Sequence, residues 1–412
     1  MQFLSIFSIG SCNKFNQSDN TIFMLLQKVF ILVALIFSLL NASAQFIDHF
    51  DGQGTPKGWT FNTGDGTAKM DFKQQNGIAS IYVDATHDKL GIWWALIRNT
   101  LRGINIKKLS NPEYVLRVKT RIRVSHAPRR VNLHVNNQRT TDFHSNLMEF
   151  DISDTAGWHT ISMTAHDFET RIGDTIACQL ALMDWGLQKY RIDIDYFKVD
   201  VVNRDSVGED LGAPIPYHPS IADPSSFRLQ LDVKQDAIVD TQFPELNFNN
   251  WGTRGASGVY TNLLTISGTQ YVIMRWDFSA LKGKKVKRGG LLEMSPYSIQ
   301  HSPEFKKDFG MVRVVEILGG DPLWDEKTVT FDKLKAGLPL EKVINAQMII
   351  DDSLTWDKNG KVFFTISQPV MQRLVDGRTL GIVIKSLGAV NASFYSKDAD
   401  KKLAPRLYLD VE

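Results

Sequence analysis

The sequence has little cysteine and no surplus of charge of either sign. Its 412 residues include two cysteines, Cys12 and Cys178, and the formal net charge is +2. If the leader that holds Cys12 is removed, no intrachain disulfide can form, and we expect Cys178 to be a buried small hydrophobe in the apolar run IACQLALM. Nucleic-acid-binding proteins are normally strongly basic, so no nucleic-acid partner is expected.

The motifs of several enzyme classes are also missing. The sequence contains no HExxH, no His-x-His, no G-x-S-x-G elbow, no P-loop and no dinucleotide fingerprint. Glycoside hydrolysis needs two facing carboxylates, and no such pair is visible in the sequence. Transition-metal catalysis is therefore not expected, and no cofactor is certain.

The N-terminal region has the pattern of an export signal. Lys28 precedes the uncharged run 29–40, and Ala42-Ser43-Ala44 follows it. This pattern predicts a signal region over residues 1–44, cleaved after Ala44, with Met24 as the start that gives a normal length. The apolar run is too short for a membrane span, so we expect no transmembrane anchor and a secreted, periplasmic or cell-surface protein.

The rest of the chain is predicted to be all-β. Short alternating or apolar runs recur between clusters of Gly, Pro, Asn and Asp, which is typical of sandwiches. Four prolines within residues 203–227 predict a stiff, extended linker. The sequence thus predicts two β-sandwich, jelly-roll-like domains, over residues 45–202 and 228–412.

The stretch 131–144, VNLHVNNQRTTDFH, is the densest in planar hydrogen-bonding side chains. Because strand residues alternate between faces, one face is predicted to be apolar and the other to carry Asn132, His134 and Asn136. We expect this row to face an open groove that binds a sugar or a carboxylated sugar. The predicted ligand-binding residues are Arg129, Arg130, Asn132, Asn136, Gln138 and Arg139, with Trp93, Trp94 or Trp185 stacking on the sugar.

The same row also suits a polysaccharide lyase, which needs a base, an acid and a group that neutralises the uronate carboxylate. In that alternative, His134 or His144 is the base, Tyr190 is the acid, and Asn136 with Arg139 holds the carboxylate.

Charged residues elsewhere in the first domain offer two further sites. The cations of Arg117, Lys119, Arg121 and Arg123 share one strand face, either as a positive surface or as an exposed face neutralised by Asp193 and Asp195. Asp48, Asp51 and Asp193 are predicted as candidate oxygen ligands of a structural calcium site.

The second domain carries an ordered series of weak motifs. They are Asp236–Val239, NFNNWG from Asn247, VIMRWDFSAL from Val272, Gly290–Leu292, Trp324-Asp325, Thr328–Thr330, Gly377, Leu380-Gly381, FYSK from Phe394 and Pro405–Leu407. The series resembles the DNRLRE, or family-96-like, carbohydrate-binding module, with a longer insertion over residues 295–310. This resemblance implies binding to an acidic polysaccharide such as alginate, or a scaffold role beside a catalytic domain. The first and last strands of the first domain, FIDHFD and YRIDIDYFKV, likewise resemble those of carbohydrate-binding jelly rolls.

Two aromatic side chains and a basic loop of the second domain complete the sequence-based picture. Trp276 lies between Arg275 and Asp277 in a strand and is expected to be buried, whereas Trp356 is the best exposed candidate. The loop with Lys282, Lys284, Lys285, Lys287 and Arg288 is a solvated turn or a weak attractor of polyanions.

The sequence thus predicts a secreted protein that binds an acidic polysaccharide of the alginate or ulvan type and acts beside glycan-degrading enzymes. The alternatives are a uronate lyase and a surface protein whose domains only pack on a partner enzyme.

Overall fold

The structure is a computed structural model that describes residues 46–63, 68–87, 94–142, 145–183, 188–216, 219–248, 262–301 and 310–412. The predicted signal region lies outside these residues. Residues Phe46–Glu412 form one compact unit. Among the described residues, no helix has both the length and the apolar content needed to cross a membrane.

The first half of this unit is built from short antiparallel strands. They are β1 (Phe46–Asp48), β2 (Trp59–Thr63), β3 (Lys69–Gln75), β4 (Ile78–Asp84), β5 (Trp94–Thr100), β6 (Tyr114–Val124), β7 (Arg129–Asn137), β8 (Leu147–Ile152), β9 (His159–Ala165), β10 (Ile176–Met183) and β11 (Lys189–Asn203), with one helix, α1 (Ile106–Leu109). Asn105 caps α1 by accepting a hydrogen bond from the backbone N–H of Lys108.

These strands form two sheets that face each other across an apolar core. Sheet 1 has the order β3-β4-β11-β6-β9, with β1 also paired to β11, and sheet 2 contains β8-β7-β10-β5-β2. The core contains aliphatic and aromatic side chains from both sheets, among them Phe72, Phe150 and Phe197. This is the first predicted β-sandwich.

A bulge in β11 changes which residues of that strand face the core. The pairing of β11 with β6 shifts register between Ile194 and Tyr196, so Asp195 is the extra residue. Before the bulge Ile192 and Ile194 are buried in the core, and after it Phe197 is. Asp193 and Asp195 alternate with Ile192 and Ile194 and lie on the outer face of sheet 1, and the bulge moves Phe197 into the core.

The proline-rich segment after β11 packs on the first sandwich over part of its length. The backbone N–H of Leu211 donates to the Ser162 hydroxyl at 2.8 Å, and β12 (Pro214–Ile215) pairs with β8 at the edge of sheet 2. Ile215 is buried. The segment therefore supplies an edge strand in addition to joining the two halves.

The second half is also mostly strand. Its strands are β13 (Leu229–Asp232), β14 (Gln235–Asp240), β15 (Leu263–Ile266), β16 (Gln270–Arg275), β17 (Gly290–Met294), β18 (Pro296–His301), β19 (Gly310–Ile317), β20 (Ile344–Asp352), β21 (Val362–Ile366), β22 (Gly381–Gly388), β23 (Val390–Tyr395) and β24 (Arg406–Leu409). Its helices are α2 (Phe331–Lys335), α3 (Leu340–Val343) and α4 (Gln368–Val375), and three-residue 3-10 turns occur at Arg204–Ser206, Pro224–Ser226 and Ser279–Leu281.

Three described sheets make up this second sandwich. Their orders are β13-β24-β17-β21, β14-β16-β22-β19-β20 and β15-β23-β18. Leu292, Val314, Phe364 and Phe394 belong to its main core, and a second apolar cluster surrounds Trp324. The all-β prediction, with two sandwiches, is confirmed.

Candidate functional site

The polar row of β7 is buried. Val131, Leu133 and Val135 face the core of the first sandwich, as the alternation predicts, and the even-numbered side chains face the other way. Of these, Asn132 is 2% exposed, His134 7% and Asn136 1%. The expected row exists and shares one face, but its side chains are closed off from solvent and do not line an open groove.

The second sandwich covers one end of this row. The backbone N–H of Arg130 donates to Gln347 Oε1 at 3.0 Å, and its Nη2 donates to the carbonyl oxygen of Ile349 at 2.9 Å. Its Nη1 lies 2.8 Å from the buried Glu149 carboxylate. Arg130, predicted to bind ligand, is therefore part of the contact between the sandwiches.

A second buried arginine crosses the same contact. Arg373 of α4 donates to both carboxylate oxygens of Asp151, on β8, at 2.6 and 2.8 Å, and to Glu316 of β19 at 2.8 and 2.9 Å. Burial alone would lower the pKa of Arg373, but the two carboxylates outweigh it and raise that pKa. No sequence pattern indicated this three-residue network, since its members lie on separate elements.

The residues proposed for lyase chemistry are separated. Tyr190 projects into the core from sheet 1, where its hydroxyl accepts a hydrogen bond from Arg129 at 3.1 Å and its ring lies 4.6 Å from that guanidinium. Burial raises the pKa of Tyr190 to about 12. His134 lies on the opposite face of sheet 2, so the sheet separates these two side chains. His144, Trp93 and Trp185 lie outside the described residues, as does the Trp94 side chain.

Gln138 and Arg139, which follow β7, both bind the carboxylate of Asp174. Arg139 donates to both oxygens of Asp174, at 3.1 and 2.7 Å, and Gln138 donates to the same carboxylate at 3.1 Å. Gln138 also accepts from the backbone N–H of Thr175. Together these contacts fix two neighbouring loops to each other.

The three aspartates predicted to bind calcium are not among the carboxylates that converge in the described part of the chain. Asp48 accepts hydrogen bonds from the backbone N–H of Phe50 and the indole N–H of Trp59, both at 2.8 Å, and Asp51 is exposed. On sheet 1, the Asp193 carboxylate pairs with Arg123 and Arg191. The calcium site on these residues stays a prediction.

One group of carboxylates does converge among the described residues, in the second sandwich. Oxygens of Asp236, Glu326 and Asp398 lie within 4.8 Å of one another. The Lys397 ammonium lies 2.8 Å from Glu326 and 2.9 Å from Asp398, so a side chain of the protein supplies a cation there.

An open cleft of about 510 Å³ lies on the outer face of sheet 1. We call it the first cleft. The side chains that line it include amides, guanidinium groups and an aromatic ring, contributed by Gln74, Gln75, Asn76, Tyr82, Arg123 and Arg191. Tyr82 is 43% exposed, so its ring is accessible to a ligand.

Asp193 fixes the two arginines of the first cleft. Its carboxylate accepts from Arg123 Nε at 3.3 Å and Nη2 at 2.7 Å, from the Ser80 hydroxyl at 2.8 Å, and it pairs with Arg191 Nε at 3.2 Å. The Arg123 guanidinium also lies 4.9 Å from the centre of the Trp158 ring. Two guanidinium groups thus share one carboxylate, which leaves a surplus of one positive charge.

The other two arginines of this face have carboxylate partners nearby. Arg121 pairs with Asp195 at 2.9 Å, and Arg117 lies 3.8 Å from Asp210 and donates to the carbonyl oxygen of Glu209 at 2.6 Å. The sequence left open whether this face is neutralised or free. The structure shows carboxylate partners for Arg117, Arg121 and Arg123 of β6.

Comparisons with known proteins give only distant structural likeness. No protein-family model and no curated protein matches the sequence. The family 11 carbohydrate-binding module of a cellulosomal cellulase of Clostridium thermocellum is 13% identical, with a TM-score of 0.27, over 39% of this chain and 95% of that one. A CBM4 structure is 14% identical, with a TM-score of 0.28, over 37% and 97%.

A tandem of two modules aligns over more of the chain. The N-terminal CBM22-1–CBM22-2 tandem domain of a Paenibacillus barcinonensis protein covers 90% of this chain and 98% of its own, at 12% identity and a TM-score of 0.25. At these values the likeness assigns the chain to no family, and the resemblance to family-96-like modules stays a prediction.

Proposed function

We propose that this protein is an exported polysaccharide-binding protein and that it holds an acidic glycan, of the alginate or ulvan type, in the first cleft. The observation that carries the proposal is the convergence of two fixed guanidinium groups, several amides and an exposed tyrosine ring in one open cleft. Ligand sites commonly combine a concave shape with a few well-placed polar groups.

The arginines favour an acidic ligand over a neutral one. A guanidinium presents a planar fork of N–H donors that matches carboxylate or sulfate oxygens. Arg123 uses Nε and Nη2 for Asp193, so its Nη1 lies outside that pair, and Arg191 contacts Asp193 through Nε. Because Asp193 is 4% exposed and already surrounded by donors, it holds the arginines in place and presents little repulsive charge to a ligand.

Affinity electrophoresis on alginate, ulvan and pectin, with a neutral glucan as reference, tests the proposal. We expect retardation on an acidic glycan, and we expect Arg191→Ala to weaken binding about tenfold or more, the typical effect of losing a hydrogen bond to a charged group. Arg191→Ala leaves Asp193 its contacts with Arg123 and Ser80, so the fold should persist. Tyr82→Ala should weaken binding through loss of the ring.

Arg98→Ala is the matched control. Arg98 is exposed on β5 and is paired across the sheet with Gln179 of β10. Gln179 is in turn paired with His134 of β7, so Arg98 lies on the same face of sheet 2 as the polar row. Unchanged binding in Arg98→Ala is expected. Equal loss in Arg98→Ala and Arg191→Ala, or no retardation of the parent protein on any acidic glycan, would contradict the proposal. New ultraviolet absorbance in the same mixtures would indicate a lyase.

A further inference from the structure

A second cleft, of about 330 Å³, lies on the second sandwich, beside the ends of β16 and α4. Arg275 and Trp276 line it from the end of β16, Thr379 and Gly381 from the start of β22, and Lys282 from the basic loop. Trp276 is 6% exposed and Thr379 4%. The burial predicted for Trp276 is therefore confirmed, and its ring forms part of the wall of this cleft.

Three residues that line the second cleft each carry a buried polar atom with no hydrogen-bond partner within the described part of the chain. These atoms are Arg275 Nε, Trp276 Nε1 and Thr379 Oγ1. The great majority of buried polar atoms in proteins have a hydrogen-bond partner, and each exception calls for an explanation. A ligand bound in the cleft would complete the hydrogen bonds of all three residues at once.

The chemistry of the three groups restricts that ligand. An indole N–H and a guanidinium N–H only donate, and a hydroxyl is able to donate as well, so the ligand must bring acceptors. Arg275 is held by a hydrogen bond from its Nη2 to the carbonyl oxygen of Trp324 at 3.0 Å, which keeps the guanidinium in position.

Charge points to the same ligand class. Arg275 and Lys282 are cationic, and Asp376 is the anionic residue among those that line the cleft. The Asp376 carboxylate accepts a hydrogen bond from Gln372 at 2.9 Å and lies 3.6 Å from Arg378, so its charge is offset by its own neighbours. The cleft therefore favours an acceptor that carries negative charge.

We propose that the second cleft is an oxyanion subsite that binds a carboxylate or sulfate ester group through Arg275, Trp276 and Thr379. As a subsite for a glycan it rests on the function proposed above, because the natural source of the oxyanion is then a second stretch of the same acidic polysaccharide. The residues are distinct from those of the first cleft and lie in the other sandwich, so the two sites are testable separately.

The test is a titration of the full protein with sodium sulfate and with galacturonate, followed through the indole N–H signals of nitrogen-15-labelled tryptophan. Sodium chloride at equal ionic strength is the reference titrant. The chain has nine tryptophans, and the signal that disappears in Trp276→Phe identifies Trp276. We expect that signal to shift saturably with sulfate and galacturonate and to stay in place with chloride.

Two conservative variants sharpen the titration. Thr379→Val removes the hydroxyl at nearly constant shape and should weaken sulfate binding about tenfold, as expected for one hydrogen bond to a charged group. Thr365→Val is the matched control, because the Thr365 hydroxyl is also buried without a described partner but lies on β21, in a different cleft. It should leave sulfate binding unchanged.

A Trp276 signal that does not move, or that moves equally with chloride, would overturn the proposal. So would unchanged sulfate binding in Thr379→Val. If a variant fails to fold, the parent titration alone decides, with Trp276 assigned through its backbone signals. Sulfate binding that survives in Arg191→Ala while glycan binding is lost separates this subsite from the first cleft, and sulfate binding without any glycan binding would refute only the proposed function.

Discussion

The outer face of sheet 1 and the even-numbered face of β7 are both rich in polar side chains, but only the first is open. On sheet 1 the charged residues surround an accessible cleft, and Tyr82 is 43% exposed. On β7, Arg130 and its neighbour on β8, Asp151, are covered by the second sandwich. Alternation along a strand thus identifies which side chains share a face, whereas exposure depends on what packs against that face.

Removing the arginine that crosses the closed contact should have the largest effect. Arg373→Ala leaves the buried carboxylates of Asp151 and Glu316 without their cation, and we expect a loss of about 3–5 kcal/mol in the free energy of unfolding. Arg121→Ala breaks an exposed pair with Asp195 on the open face and should cost less than about 1 kcal/mol. Urea unfolding monitored by circular dichroism measures both. Equal costs would remove the distinction between the two regions.

Asp236 is a buried carboxylate that, unlike Asp151 and Glu316, is not paired with an arginine, and it should make the stability of the protein depend on pH. Burial first, and then the charges of Glu326 and Asp398, raise the pKa of Asp236 from 3.8 to about 7. The folded protein therefore holds this proton over a pH range in which the unfolded chain has lost it. The associated stability is fully present below about pH 4 and is lost as the pH rises through 7.

Asp236→Asn should remove this slope and raise stability at about pH 8 by up to about 4 kcal/mol. Thermal melts between about pH 4 and 8 measure it. Asp277→Asn is the control of opposite sign, since hydrogen bonds from the side chain and backbone of Ser279 hold the pKa of Asp277 below its usual value. A parent protein whose stability does not fall between pH 4 and 7 would contradict this prediction.

The smallest effect is expected inside the β7 row. Neither polar side-chain atom of Asn136 has a hydrogen-bond partner among the described residues. Asn136→Leu should therefore either lower the free energy of unfolding by less than about 1 kcal/mol or raise it. The adjacent Asn137 accepts from the backbone N–H of Arg139 at 2.8 Å and donates to the carbonyl oxygen of Glu169 at 3.2 Å. Asn137→Leu should therefore cost about 1 kcal/mol or more. The reverse order in urea unfolding would show that the buried amide is satisfied.

Local pattern was enough to predict several features of the fold. The alternation around His134 gave the correct faces of β7, the apolar run around Cys178 gave its burial, and the turn-like setting of Trp356 fits its 57% exposure. Each of these depends on a few neighbouring residues.

Burial of the predicted site was not available from local pattern. Arg130 meets Gln347 across 217 positions of the sequence, and Arg373 meets Asp151 across 222. The first cleft was missed for a related reason, because Tyr82, Arg123 and Arg191 come from three strands whose pairing sets their spacing. A partial signal was present in β11, where Asp193 and Asp195 alternate with the apolar Ile192 and Ile194 and are thereby placed on the outer face of sheet 1.

On the function proposed above, the buried junction around Arg130 and Arg373 also affects how a long polymer would bind. Because the Arg373–Asp151 ion pair and the hydrogen bonds of Arg130 join the two halves in addition to the connecting segment, we expect the separation between the clefts to vary little. A short oligosaccharide would then occupy one cleft at a time, whereas a chain long enough to reach both would gain avidity in a single step at a threshold length. The affinity of the protein would then depend on the length of the polysaccharide chain.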